Sequence, residues 1–118
     1  MNKKIAILGS TGSIGKTTLK ILENKNFNII LLAANKNYKT LFKQAKKFNV
    51  KNIIITNDKS YKILKLKCKK LNIKVFNNFN FFRKIFKKKI DYTMSSISGI
   101  QGLKPTIEII KYTKKIAI

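Results

Sequence analysis

Residues 7–22 read Ile-Leu-Gly-Ser-Thr-Gly-Ser-Ile-Gly-Lys-Thr-Thr-Leu-Lys-Ile-Leu, and the fold turns on how they are parsed. A short apolar run, Ile5 to Leu8, meets Gly9, Gly12 and Gly15, glycines at intervals of three, and a helical pattern follows at once. Strand, glycine turn and helix in succession make a cradle for phosphate. The first amides of a helix have no intrahelical acceptor, and the helix dipole puts partial positive charge beside them. Two such cradles compete. The Walker P-loop needs four residues between its first glycine and a Gly-Lys-Ser/Thr tail. Gly15-Lys16-Thr17 supplies the tail, but position 10 is Ser10, and Gly9 stands one residue too early. No aspartate suits Walker B either: Asp58 follows its strand loosely, and Asp91 begins one. Lys16 then reads as an exposed first-turn lysine.

The dinucleotide turn of a Rossmann fold fits better, in the variant spacing Gly9-x-x-Gly12-x-x-Gly15. Gly9 lets the strand turn sharply, Gly12 removes a side chain where backbone approaches a pyrophosphate, and Gly15 lets the helix pack close to the sheet. Ser10, Thr11, Ser13 and the free amides around them, Ile14 included, are candidate phosphate donors. A glycine-rich turn with no ligand is the plain alternative, but three glycines at one strand end are costly without a use.

Working outward, strand and helix patterns alternate. Lys3–Leu8 reads as a strand, and 13–24 as a helix with Ile14, Thr18, Ile21 and Leu22 on one face. Asn28–Ala34 is a continuous apolar run suited to a strand buried on both faces. Tyr38–Phe48 is helical, with Leu41, Phe42, Ala45 and Phe48 inward, and Lys51–Thr56 is a strand. Asp58 or Ser60 caps the next helix, whose stripe is Tyr61, Leu64, Cys68 and Leu71. Lys74–Phe76 is a short strand, Phe82, Ile85 and Phe86 suggest a short helix, and Asp91–Ile97 a further strand. Residues 102–112 read as helix, with Pro105 tolerable only in the first turn, and Lys114–Ile118 as a strand. This alternation predicts an α/β fold: a doubly wound parallel sheet, Rossmann-like and dinucleotide-binding, in one domain spanning 1–118.

The loop after the second strand chooses the cofactor. Folds specific for NAD place an Asp or Glu there for the ribose 2′-hydroxyl. Here the chain reads Ala33-Ala34-Asn35-Lys36-Asn37, with no acid. A carboxylate would repel a 2′-phosphate and Lys36 attracts it, so NADPH is the expected cofactor. A third loop, Ser95-Ser96-Ile97-Ser98-Gly99-Ile100-Gln101-Gly102, faces the glycine turn across the crevice where strand order reverses. Ser96 and Gly99 are its candidate cofactor contacts.

Composition excludes several classes. The 118 residues carry 27 basic and 4 acidic side chains, a net charge of +23. Every basic residue except Arg83 is lysine, whereas proteins that read bases lean on arginine. Lys, Asn, Ile and Phe all belong to A+T-rich codons, so coding bias accounts for the charge and no specific nucleic-acid partner is expected. Residues 59–90 hold basic side chains and no acid, which reads as a solvated helix face. There is no apolar run long enough to span a membrane and no secretory leader pattern, and Cys68 is a lone cysteine. A cytoplasmic location is the expectation. There is no histidine, and Glu23, Asp58, Asp91 and Glu108 are scattered, with no spacing suited to a metal or to acid–base work. Catalytic residues and metal ligands are expected to be absent from these 118 residues.

Three segments together resemble one family. ILGSTGSIGKTTL at 7–19, GIQGLKPTIEII at 99–110 and KKIAI at 114–118 are similar to 1-deoxy-D-xylulose 5-phosphate reductoisomerases. AANKN at 33–37 is similar to the family's second loop, where Asn35 stands in place of the usual glycine. The resemblance implies NADPH bound by this region, which isomerisation and reduction of 1-deoxy-D-xylulose 5-phosphate to 2-C-methyl-D-erythritol 4-phosphate require, on the non-mevalonate route to isoprenoids. It also implies a divalent metal, Mg or Mn, and a homodimer in the full-length family. The family continues Ala-Asn-Lys-Glu after the KKIAI-like strand and then enters its catalytic domain. The 118 residues are therefore expected to be an N-terminal fragment, inactive alone. The alternative is a non-catalytic Rossmann-like module that binds a nucleotide or another anion.

Overall fold

A computed structural model describes residues 2–118. Its strands are β1 (Lys3–Leu8), β2 (Phe27–Ala34), β3 (Asn52–Ile55), β4 (Lys74–Phe76), β5 (Ile90–Ser95) and β6 (Thr113–Ala117). Its helices are α1 (Ser13–Leu22), α2 (Tyr38–Lys47), α3 (Asp58–Lys67), α4 (Phe82–Ile85) and α5 (Leu103–Ile109). The strands form one sheet in the order β4-β3-β2-β1-β5-β6, every pair parallel. The chain winds from β1 out to β4, then returns past β1 to β5. The order reverses between β1 and β5, as a doubly wound sheet requires.

Period-two alternation divides the core. Ile5, Ile7, Leu32, Ala34, Ile53 and Ile55 meet Leu19, Leu41 and Leu64 of α1–α3 on one face. Ala6, Leu8, Leu31, Ala33 and Ile54 meet Phe82, Ile85 and Ile109 of α4 and α5 on the other. Double-sided burial explains why β2 and β3 read as unbroken apolar runs. Cys68 lies in the first cluster, and burial pushes its thiol up while Lys67 opposes the shift.

Four local expectations are corrected. Helix α1 stops at Leu22 and buries Gly15 and Leu19, leaving Ile14 and Ile21 62% and 60% exposed. The cause is Gly15: only a glycine fits where α1 meets the loop after β1, so that residue must face inward and sets the helix's rotation. Helix α3 is capped by Asn57, which accepts from the Ser60 amide at 3.0 Å, and not by Asp58 or Ser60. Leu71 lies beyond the end of α3 and is exposed. The segment expected as one helix over 102–112 is a 3₁₀ turn (Ile100–Gly102), then α5, then another 3₁₀ turn (Ile110–Tyr112), with Pro105 in the first turn of α5.

Thr93 sits at the centre of β5 with no exposure, and its hydroxyl finds no partner among the described residues. An unpaired buried hydroxyl costs about 1–3 kcal/mol, and valine has nearly the same shape. Thr93→Val is expected to raise unfolding stability by about 1 kcal/mol. Urea denaturation checks this: an unchanged or lower midpoint would mean the hydroxyl has a partner.

Candidate functional site

The site gathers at the carboxyl ends of the strands. After Leu8 the chain turns at Gly9, whose φ of +84° lies where side chains are strained. The amides of Gly9 and Ser10 both donate to the Ala33 carbonyl, at 2.8 and 2.9 Å, which pins the turn to β2. Helix α1 then begins with Gly12 as its cap, a residue with no side chain to supply the capping bond. Among the described residues the amides of Thr11, Gly12, Ser13, Ile14 and Gly15 have no acceptor; the first helical bond is Lys16 to the Gly12 carbonyl, at 2.9 Å. The hydroxyls of Thr17 and Thr18 turn back onto the carbonyls of Ser13 and Ile14. Five consecutive free amides at the positive end of a ten-residue helix form an anion cradle.

Gly12 and Gly15 differ in what an added side chain would meet. A Cβ on Gly15 would lie 2.3 Å from the Gly9 carbonyl oxygen and 2.6 Å from the Ser10 Cα, so the glycine is needed for packing. A Cβ on Gly12 would meet only the Gly9 oxygen, at 3.8 Å. The fold leaves that space open and does not itself require the glycine, which is what a ligand approaching the backbone demands.

The cradle opens into a cleft of about 660 Å³. Gly9, Thr11 and Gly12 line it from the loop after β1, and Ala34, Asn35 and Lys36 from the loop after β2. Ser96, Ile97, Ser98 and Gln101 line it from the loop after β5, with Thr56 after β3 and Phe79 before α4. Of the residues expected from the sequence, Gly9, Thr11, Gly12, Asn35, Lys36 and Ser96 are brought together on this lining. Ser13, Ile14 and Gly15 are not on this lining; they follow Gly12 as the start of α1, with their amides free. The Ile14 side chain is exposed, and Lys16 lies in a separate groove with Leu19 and Lys20. Gly99 has φ of +74° and open space at its Cβ, but does not line the cleft.

Ser10 departs from the expectation. It is fully buried, its amide donates to Ala33, and its hydroxyl donates to Gln44 Oε1 at 2.8 Å. It has no free donor for a phosphate. Ser96 is likewise tied inward, its hydroxyl 3.0 Å from the Gly9 carbonyl and 3.2 Å from that of Leu8. In the second loop Asn35 does not adopt positive φ, so the loop holds its course without a glycine. Asn37 caps α2, its Oδ1 accepting from the Thr40 amide at 3.1 Å, which leaves only its Nδ2 to donate elsewhere. Lys36 is exposed and forms no ion pair among the described residues.

Thr56, Phe79 and Gln101 were not anticipated. Thr56 directly follows β3 and could have been found from the rule that ligands sit at the carboxyl ends of strands. Gln101 lies inside the Gly-Ile-Gln-Gly stretch already singled out. Phe79 carries no sequence signal.

No carboxylate lines the cleft. Each of the four is paired with a lysine: Glu23 with Lys47, Asp58 with Lys62, Asp91 with Lys114 and Glu108 with Lys111. A hydrogen bond from Lys47 holds the Glu23 carboxyl below its usual range, and the Lys4 amide does the same for Asp91. Among the described residues no group of three His, Cys, Asp or Glu could hold a metal, so these residues do not fit a metal centre.

The sequence profile of the 1-deoxy-D-xylulose 5-phosphate reductoisomerase family matches residues 5–118. The reductoisomerase of Pelagibacter ubique is 58% identical over 98% of this chain, and that of Phocaeicola vulgatus 38% identical over all of it. Among solved structures, the Zymomonas mobilis reductoisomerase in complex with NADPH superposes with a TM-score of 0.88 at 31% identity, covering 99% of this chain. A reductoisomerase bound to NADPH, fosmidomycin and magnesium superposes with a TM-score of 0.86 at 26% identity. The chain spans about a third of the length of the proteins it matches, 31% of both the Pelagibacter and the Zymomonas ones. With fold, glycine turn and cleft in agreement, the chain belongs to the 1-deoxy-D-xylulose 5-phosphate reductoisomerase family.

Proposed function

We propose that residues 1–118 form a single NADPH-binding domain of a longer reductoisomerase, one that converts 1-deoxy-D-xylulose 5-phosphate to 2-C-methyl-D-erythritol 4-phosphate. The observation that carries this reading is the run of free amides at residues 11–15, whose first two residues line a cleft with an open Gly12. In this reading the amides of Thr11, Gly12, Ser13, Ile14 and Gly15 receive the pyrophosphate. The side chains of Lys36 and Asn37 receive the 2′-phosphate, and Asn35 shapes the loop that presents them. Ser96 and Gly99 border the nicotinamide end, where NADPH, once bound, supplies the hydride. The divalent metal and the substrate are held by residues outside this segment. The whole enzyme is read as a cytoplasmic homodimer, with no nucleic-acid or membrane partner. No helix among the described residues is long and apolar enough to cross a membrane.

Cofactor choice tests this reading. A protein carrying this domain is expected to bind NADPH more tightly than NADH. A hydrogen bond to a charged group is worth about 1.5–3 kcal/mol, and the exposure and flexible stem of Lys36 favour the lower end, so the preference should be about tenfold. Lys36→Asp is expected to abolish or reverse it, because repulsion replaces attraction at the same point. The +23 charge also attracts NADPH at long range, and titration at two salt concentrations separates that screened contribution from the direct contact. Equal binding of the two cofactors in moderate salt, or a Lys36→Asp protein that keeps the full preference, would refute it.

A further inference from the structure

We propose that Gln44 is a positioning residue of the phosphate-binding loop, acting on the cofactor through Ser10. This rests on the reading of the cleft as an NADPH site. Gln44 lies on the buried face of α2 between Leu41 and Ala45, where an apolar side chain would otherwise be expected. It is 9% exposed and reaches across 34 residues of chain to make two bonds with one residue. Its Nε2 donates to the Ser10 carbonyl at 2.9 Å, and its Oε1 accepts from the Ser10 hydroxyl at 2.8 Å. The carbonyl can only accept, which fixes which end of the amide is nitrogen. Glutamine alone among side chains of this length offers a donor and an acceptor side by side. Glutamate and methionine cannot reproduce the pair at neutral pH.

The consequence follows from peptide geometry. In a planar trans peptide the carbonyl and the next N–H point in opposite directions. Holding the Ser10 carbonyl toward α2 therefore turns the Thr11 N–H away from it, and Thr11 is the first of the five free amides and lines the cleft. A buried polar side chain is costly unless its bonds are made, and here both bonds serve the one loop that must be shaped before the cofactor arrives.

The experiment compares wild type, Gln44→Met and Gln44→Glu in a protein carrying this domain. Two probes are titrated: NADPH, which spans both loops, and adenosine 2′-monophosphate, which reads the Lys36 loop and has no pyrophosphate. Both variants are expected to bind NADPH about tenfold more weakly, equivalent to one hydrogen bond to a charged phosphate. Binding of adenosine 2′-monophosphate should stay within about twofold of wild type, showing that the fold and the second loop are intact. Gln44→Glu keeps the acceptor for the Ser10 hydroxyl but adds a negative charge beside the free amides, so the uncharged Gln44→Met, which removes both bonds, is the variant that reads the loss of the tie. NADPH affinity near wild type in a folded variant would overturn the proposal, as would equal weakening of both probes, which would make Gln44 a structural residue only. A wild-type protein that binds neither probe would instead overturn the cofactor reading itself.

Discussion

A Gly12→Val protein is expected to fold and to lose NADPH. Position 12 has φ of −77°, which any residue adopts, and an added Cβ meets nothing closer than 3.8 Å. Valine is a poorer helix cap than glycine, so a stability loss of about 1 kcal/mol is the ceiling. The isopropyl group would fill the space where pyrophosphate oxygens reach the amides of residues 11–15. Losing two hydrogen bonds to a charged group at about 1.5–3 kcal/mol each weakens binding by more than about 100-fold. Cofactor titration beside a thermal melt checks both halves. A protein that melts normally and keeps its affinity would show that the turn serves the fold alone.

Gly15→Ala is expected to do the reverse: to damage the fold first and binding only as a result. Its single methyl carbon would sit 2.3 Å from the Gly9 oxygen and 2.6–2.7 Å from backbone atoms of Ser10. No flexible side chain can move aside, so α1 must back away from the loop after β1. Overpacking of this kind costs about 1–3 kcal/mol or more, a large share of a domain's roughly 5–15 kcal/mol. Equilibrium unfolding in urea should show a clear fall in midpoint; a midpoint equal to wild type would mean that helix and loop are less tightly apposed than described.

These two glycines also mark what could be read from the chain. Their spacing and the strand–helix alternation are local signals, and both led to the right topology because a parallel sheet leaves few alternatives. What was not legible depends on partners distant in sequence. Ser10 reads as a phosphate donor until Gln44, on another helix, claims its hydroxyl. Ile14 and Ile21 read as core until Gly15 dictates the rotation of α1. Asn57 was overlooked as a cap because the Asp and Ser that follow it are equally good capping residues, and only the turn geometry chooses among them. The second loop was read from charge alone, and its backbone, free of positive φ at Asn35, could not be foreseen from a substitution for glycine.

The glycine loop is held from both sides, by Gln44 on α2 and by Ser96 just after β5, and the second tie joins residues 87 apart in the chain. Contacts of such separation form late, since loop-closure entropy must be overcome before they contribute. A nascent polypeptide that has laid down β1 and α1 has every glycine of the motif, yet lacks both fastenings. The loop is therefore fastened only once the sheet has closed around its switch point. On the proposed cofactor reading, a dinucleotide that needs the fastened loop would bind the finished domain over its partly folded forms and draw the folding equilibrium toward completion.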